Sequence, residues 1–131
     1  MTEKTDNVLV RYIVHDVDAA LDFYTTHLGF TVFMHPSPFF AMLARGPLWL
    51  AISAPNEAGG GGQAMPDGRL PEPGGWNRIV LTVPDLQASV DTLRAAGLPF
   101  RNDIVHGVGG DQILLDDPSG NPVELFQYHS P

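Results

Sequence analysis

Apolar positions along this chain change their spacing in a fixed order, and the order occurs twice. Leu9 to Val14 is rich in β-formers and reads as a strand, with Arg11 on the face shared by Leu9 and Ile13. From Val17 to Leu28 the spacing becomes helical, with Val17, Ala20, Leu21, Tyr24 and Leu28 on one side. Asp16 or Asp18 serves as the N-cap, and Gly29 ends the helix. Phe30–Met34, Phe39–Leu43 and Leu48–Ser53 then read as three strands, divided by His35-Pro36-Ser37-Pro38 and Arg45-Gly46-Pro47. Ala54 to Gly75 has no periodicity. With four consecutive glycines at 59–62 and prolines at 55, 66, 71 and 73, it reads as a linker stiffened at its far end.

Beyond the linker the pattern returns. Arg78–Val83 is a strand, Asp85 a cap, and Leu86–Ala96 a helix with Leu86, Val90 and Leu93 inward and Gly97 as its stop. Phe100–Val105, Gln112–Leu115 and Val123–Tyr128 complete three more strands. With Leu9 laid on Arg78, Val14 meets Val83, Asp16 meets Asp85, Ala19 meets Ala88 and Asp22 meets Asp91 without a gap. The chain is therefore a duplicated βαβββ unit. One helix covers only one face of four strands, so the other face must meet something equivalent. The expected fold is α+β: two βαβββ modules, residues 1–54 and 76–131 joined by a Gly/Pro-rich linker at 55–75, forming a curved mixed sheet around a cavity as one structural domain.

The most informative stretch is Asp117-Pro118-Ser119-Gly120-Asn121-Pro122-Val123-Glu124-Leu125-Phe126. Pro118 and Gly120 supply turn chemistry, and the apolar run that follows reads as a strand. Glu124 points opposite to Val123 and Leu125, so its face looks into water or a polar cavity rather than a dry core.

Composition narrows the picture. The chain has 131 residues, 44% of them hydrophobic, which suits one globular unit or two small halves. A net charge of −8 excludes nucleic acid as a partner. No apolar run approaches the roughly 20 residues of a membrane span, and the polar start has no signal-peptide core. The absence of cysteine removes disulfides and thiolate metal sites, so a cytoplasmic location is the expectation.

The duplicated pattern resembles the vicinal oxygen chelate superfamily, which includes glyoxalase I, extradiol dioxygenases and bleomycin-binding proteins. The residues that carry the resemblance are Val14-His15-Asp16-Val17-Asp18, Phe23-Tyr24 and Leu28-Gly29-Phe30 in the first half. In the second they are Ile79 to Leu86, Ala95-Ala96-Gly97 and Asp117 to Leu125. The resemblance implies four metal-ligand positions, one on each of four strands. Here they fall on Leu9, Ala51, Arg78 and Glu124. Only Glu124 can bind a cation, so no divalent metal or other cofactor is expected. Arg78 and Glu124 are expected to pair, with Arg11 also facing inward.

Trp49, Phe33, His35, Phe126 and Tyr128 complete the candidate ligand-binding set and suit a flat organic ligand. The histidines at 15, 27, 35, 106 and 129 show no metal-site spacing. Three functions follow from the resemblance and these residues. One is a metal-free module that binds a small aromatic or carbonyl-bearing molecule, for resistance or secondary metabolism. Another is a metal-independent isomerase or lyase with Glu124 as catalytic base and an arginine stabilising an oxyanion. The third is a glyoxalase- or dioxygenase-type metal enzyme whose ligands have moved, for instance to His35 or His106. The partners expected are a small-molecule ligand and a second copy of the chain in a homodimer, with no nucleic acid and no membrane.

Overall fold

The computed structural model describes residues 8–57 and 60–130. The chain divides into two compact units, Met1–Pro73 and Gly74–Pro131. The first unit contains β1 (Val8–Ile13), α1 (Val17–His27), β2 (Thr31–Ser37), β3 (Phe40–Arg45) and β4 (Leu48–Ser53), followed by a 3-10 turn at Gly60–Gly62. Its sheet order is β1-β4-β3-β2, with β1 and β4 parallel and the other neighbours antiparallel. The second unit contains β5 (Ile79–Thr82), α2 (Leu86–Ala95), β6 (Val105–His106), β7 (Gly110–Asp116) and β8 (Pro122–Tyr128). Its order is β5-β8-β7-β6, again with one parallel pair, β5 and β8. Each half is thus a βαβββ module with a four-stranded mixed sheet and one helix, and the chain is α+β, the architecture that the resemblance implies. No helix among the described residues is long and apolar enough to cross a membrane.

The local causes repeat between the halves. Asp16 and Asp85 have extended backbones, and their side chains accept from the N–H groups of Ala19 and Ala88 at 3.1 and 3.0 Å. Gly29 and Gly97 follow the two helices with φ of 74° and 87°, a conformation that costs glycine little. In the first unit α1 lays Val17, Ala20, Phe23 and Tyr24 against Leu43, Leu50 and Ile52, all buried. The spacing placed Leu21 inward, but Leu21 is only half-buried and Phe23 takes the inner position instead, in edge-to-face contact with Tyr24 at 5.0 Å. In the second unit Leu86, Val90 and Leu93 are buried with Leu81, Ile113, Leu115, Val123 and Leu125.

Several strand ends shift by one or two residues, and two shift further. The strand expected at Phe100–Val105 is reduced to Val105–His106 and a single bridge from Phe100 to Leu115. One backbone bond, from the N–H of Arg101 to the carbonyl of Leu114 at 2.8 Å, and two side chains hold the intervening residues. Asn102 Oδ1 accepts from the N–H of Leu114 at 2.9 Å, and Arg101 pairs with Asp116. The second difference is that β2 runs on to Ser37 through Pro36. It lies at the sheet edge, where a missing N–H breaks no ladder.

The turn at Asp117 is closed by its own carboxylate. Oδ1 accepts from the N–H groups of Ser119 and Asn121, both at 2.9 Å, and Oδ2 accepts from Asn121 Nδ2 at 3.0 Å. Asn121 Oδ1 in turn accepts from the N–H of Gly74 at 2.7 Å. Asp117 and Asn121 are both buried. Replacing Asp117 with Ala removes three acceptor contacts from buried or half-buried donors. It should lower stability by about 2–4 kcal/mol, measured by urea unfolding.

Candidate functional site

The face of the first sheet opposite α1 is fixed by strand register. Arg11 lies opposite Ala51, which lies opposite Met42, which lies opposite Met34. The neighbouring row is Leu9, Trp49, Ala44 and Thr31. Because same-face residues alternate along each strand, Leu9, Arg11, Trp49, Ala51, Ser53 and Met42 all turn away from the helix. Arg11 Nη1 donates to Ser53 Oγ at 2.9 Å. Phe33 packs on Trp49 with ring centroids 4.9 Å apart, and Phe33 is 57% exposed.

The glycine-rich stretch expected to be a loose linker contributes to this face. The turn at Gly60–Gly62 crosses Arg11, and a Cβ on Gly61 would come within 2.0 Å of Nη1. The N–H of Asn56 donates to the carbonyl of Gly62 at 3.0 Å and anchors the turn. Sequence reasoning missed Ser53 and Gly61 as Arg11 neighbours. The parallel register of β1 on β4 was the signal that would have found Ser53.

On the second sheet Glu124 sits opposite Val80 and Leu114, turned away from α2. Arg78 Nε and Nη2 both donate to Glu124 Oε1, at 3.0 and 2.8 Å, while Nη1 donates to the carbonyl of Trp76. Glu124 is only 6% exposed, yet Oε2 has no hydrogen-bond partner among the described residues. Phe126 and Tyr128 lie beyond it on the same face in edge-to-face contact, centroids 4.9 Å apart. The pairing read from the sequence therefore forms, through one carboxylate oxygen.

His35 goes elsewhere. Register irregularities between Val32 and Met34, and between Met34 and Ser37, break the alternation that would have put it beside Phe33. Its Nε2 lies 3.8 Å from Asp18 on α1. The histidine cluster that sequence spacing concealed is in the second unit. His106 Nδ1 and His129 Nε2 each lie 3.0 Å from Asp111 Oδ1. Pairing of β6 and β8 with β7 brings these distant positions together. The hydrogen bond from His129, then that from His106, holds the Asp111 carboxyl below the usual range. No trio of His, Cys, Asp or Glu among the described residues, this one included, is placed to hold a metal ion.

Comparison with known proteins decides the family. The sequence model of the Glyoxalase/Bleomycin resistance protein/Dioxygenase superfamily matches residues 7–125. The chain belongs to that superfamily. A superfamily member from Sphaerobacter thermophilus DSM 20745 is 26% identical, with 95% of this chain and 98% of that one covered and a TM-score of 0.74. TnmS3, an antibiotic binding protein from Streptomyces sp. CB03234, is 21% identical over 98% and 100% of the two chains, at 0.73. Lactoylglutathione lyase from Agrobacterium tumefaciens is 18% identical over 96% of each, at 0.72. No curated protein matches.

The four metal-ligand positions that the resemblance implies fall here on Leu9, Ala51, Arg78 and Glu124. The donor set does not fit a divalent ion. Leucine and alanine have no lone pair to give, and Arg78 is a cation already seated on the one carboxylate.

Arg78→Met should cost about 3 kcal/mol by leaving Glu124 buried and unpaired, whereas Arg78→Met with Glu124→Met should cost less than the two single changes summed. Denaturant unfolding of the four proteins checks this. The depressed Asp111 carboxyl adds stability at pH values above about 4, the unfolded value, and that stability is lost as pH falls through the lower folded value. Thermal melts between neutral pH and pH about 3 should therefore fall more steeply for the parent than for Asp111→Asn.

Proposed function

We propose that this protein binds a small aromatic or carbonyl-bearing organic molecule in a metal-free site, for resistance or secondary metabolism. The observation that carries the reading is the Arg78–Glu124 pair. At two of the superfamily's four ligand positions a guanidinium, rather than a metal ion, satisfies the carboxylate. The aromatic pairs on helix-free faces, exposed Phe33 on half-buried Trp49 and half-buried Phe126 with exposed Tyr128, support it as stacking surfaces. That TnmS3 is an antibiotic binding protein of the same fold is consistent with it.

A second reading is favoured by one atom. Arg78 occupies Oε1 and leaves Oε2 without a partner among the described residues, so Glu124 retains a lone pair for proton abstraction. In this reading the protein is a metal-independent isomerase or lyase, and Arg78 steadies the base. Both readings take the protein as cytoplasmic and homodimeric, which light scattering of the purified protein tests for assembly.

The test is calorimetric titration of EDTA-treated protein with a panel of aromatic antibiotics and aromatic ketones, run beside turnover assays. Saturable binding without product formation is expected, with Glu124→Gln binding about as tightly as the parent. Turnover that Glu124→Gln abolishes would select the enzyme reading. Binding or turnover that appears only on adding zinc, iron or manganese would overturn both.

A further inference from the structure

We propose that the helix-free face of the first sheet selects an organic anion: a flat aromatic acid whose ring lies on Trp49 and Phe33 and whose carboxylate is received by Arg11. This deepens the function proposed above and rests on it, by naming the class of ligand.

Arg69, Arg78, Arg94 and Arg101 are each paired with a carboxylate, on Asp67, Glu124, Asp103 and Asp116. Arg11 has no carboxylate partner among the described residues and faces a neutral hydroxyl, Ser53 Oγ. In a chain of net charge −8 the long-range field repels anions, so only a fixed local cation can reverse the preference. Arg11 is such a cation.

Its orientation is set by two contacts. Ser53 takes Nη1, and the backbone of Gly61 lies so close that a side chain there would push the guanidinium from its present position. Among the described residues Nε and Nη2 have no acceptor. Those two N–H groups point along one edge of the guanidinium, the geometry that receives both oxygens of a carboxylate in parallel bonds. The Leu9–Trp49 row lies two residues along β1, about 7 Å away. Ala51 stands between as the strand partner of Arg11, and Met42 follows on β3. A ring stacked on Trp49 therefore has an acid group in reach of Arg11 when the molecule is the size of a bicyclic carboxylate. The same face has no acidic side chain in either row to favour an amine.

The test uses a Trp76→Phe parent, which leaves Trp49 as the sole tryptophan, and two probes of equal shape, 2-naphthoate and its neutral analogue 2-naphthamide. Affinities come from calorimetry and occupancy from Trp49 emission. The acid should bind about tenfold or more tightly than the amide, with the gap narrowing as salt is raised. Arg11→Gln should abolish that preference while retaining amide binding, and Arg11→Lys should restore part of it. Equal affinity for the two probes in the parent would overturn the anion assignment and leave the broader binding function standing. A preference that survives Arg11→Gln would do the same. Binding heat with no change in Trp49 emission would also overturn it, by placing the ligand elsewhere. Failure of these probes and of the whole aromatic panel to bind would remove the broader reading together with this one.

Discussion

Each half of this protein has four strands and a single helix, and a helix of ten or eleven residues can dry only one face of such a sheet. Everything distinctive about the chain follows from that imbalance. The covered faces are ordinary cores: Leu43, Leu50 and Ile52 under α1, and Ile113, Leu115, Val123 and Leu125 under α2. The uncovered faces hold what a core would reject. Arg11, Arg78 and Glu124 stand there, interleaved with aromatic rings. The residues that hold each unit together are therefore not those on its helix-free face, which leaves that face open to change without loss of the fold.

The two halves use their uncovered faces differently. In the second, opposite charges meet and cancel, with two guanidinium nitrogens on one carboxylate oxygen. In the first, a hydroxyl and a glycine backbone hold an arginine in place without neutralising it. The duplication supplied one architecture, and side-chain choice at equivalent strands has given the copies separate electrostatic characters. Leu9 in one copy corresponds to Arg78 in the other, and Arg11 to Val80, so the cation has moved by one same-face step between them.

Much of this was legible in the sequence because it is written in local terms. The caps at Asp16 and Asp85, the stops at Gly29 and Gly97 and the inward faces of both helices depend on residues within a few positions of each other. The Arg78–Glu124 pair was readable because the resemblance put both residues at positions that share one site, where a guanidinium and a carboxylate meet. His35 was misplaced because β2 does carry irregularities, and no sequence pattern announces them. Phe100–Val105 looked like a strand by composition, but the Asn102 side chain takes the N–H of Leu114 on β7 that a strand partner would have used. The Asp111 cluster was hidden for another reason. Its members meet only through strand pairing across the sheet, which a linear spacing rule does not see.

The clasp between Asn121 and Gly74 has a practical consequence. It ties the first residue of the second unit to the best-anchored turn of that unit, and every strand ladder closes within its own sheet. The exposed residues from Gln63 to Leu70 therefore belong to no ladder. A protease nick or a circular permutation there would sever the polypeptide without unzipping either sheet, making that stretch the natural place to splice in a reporter or relocate the termini.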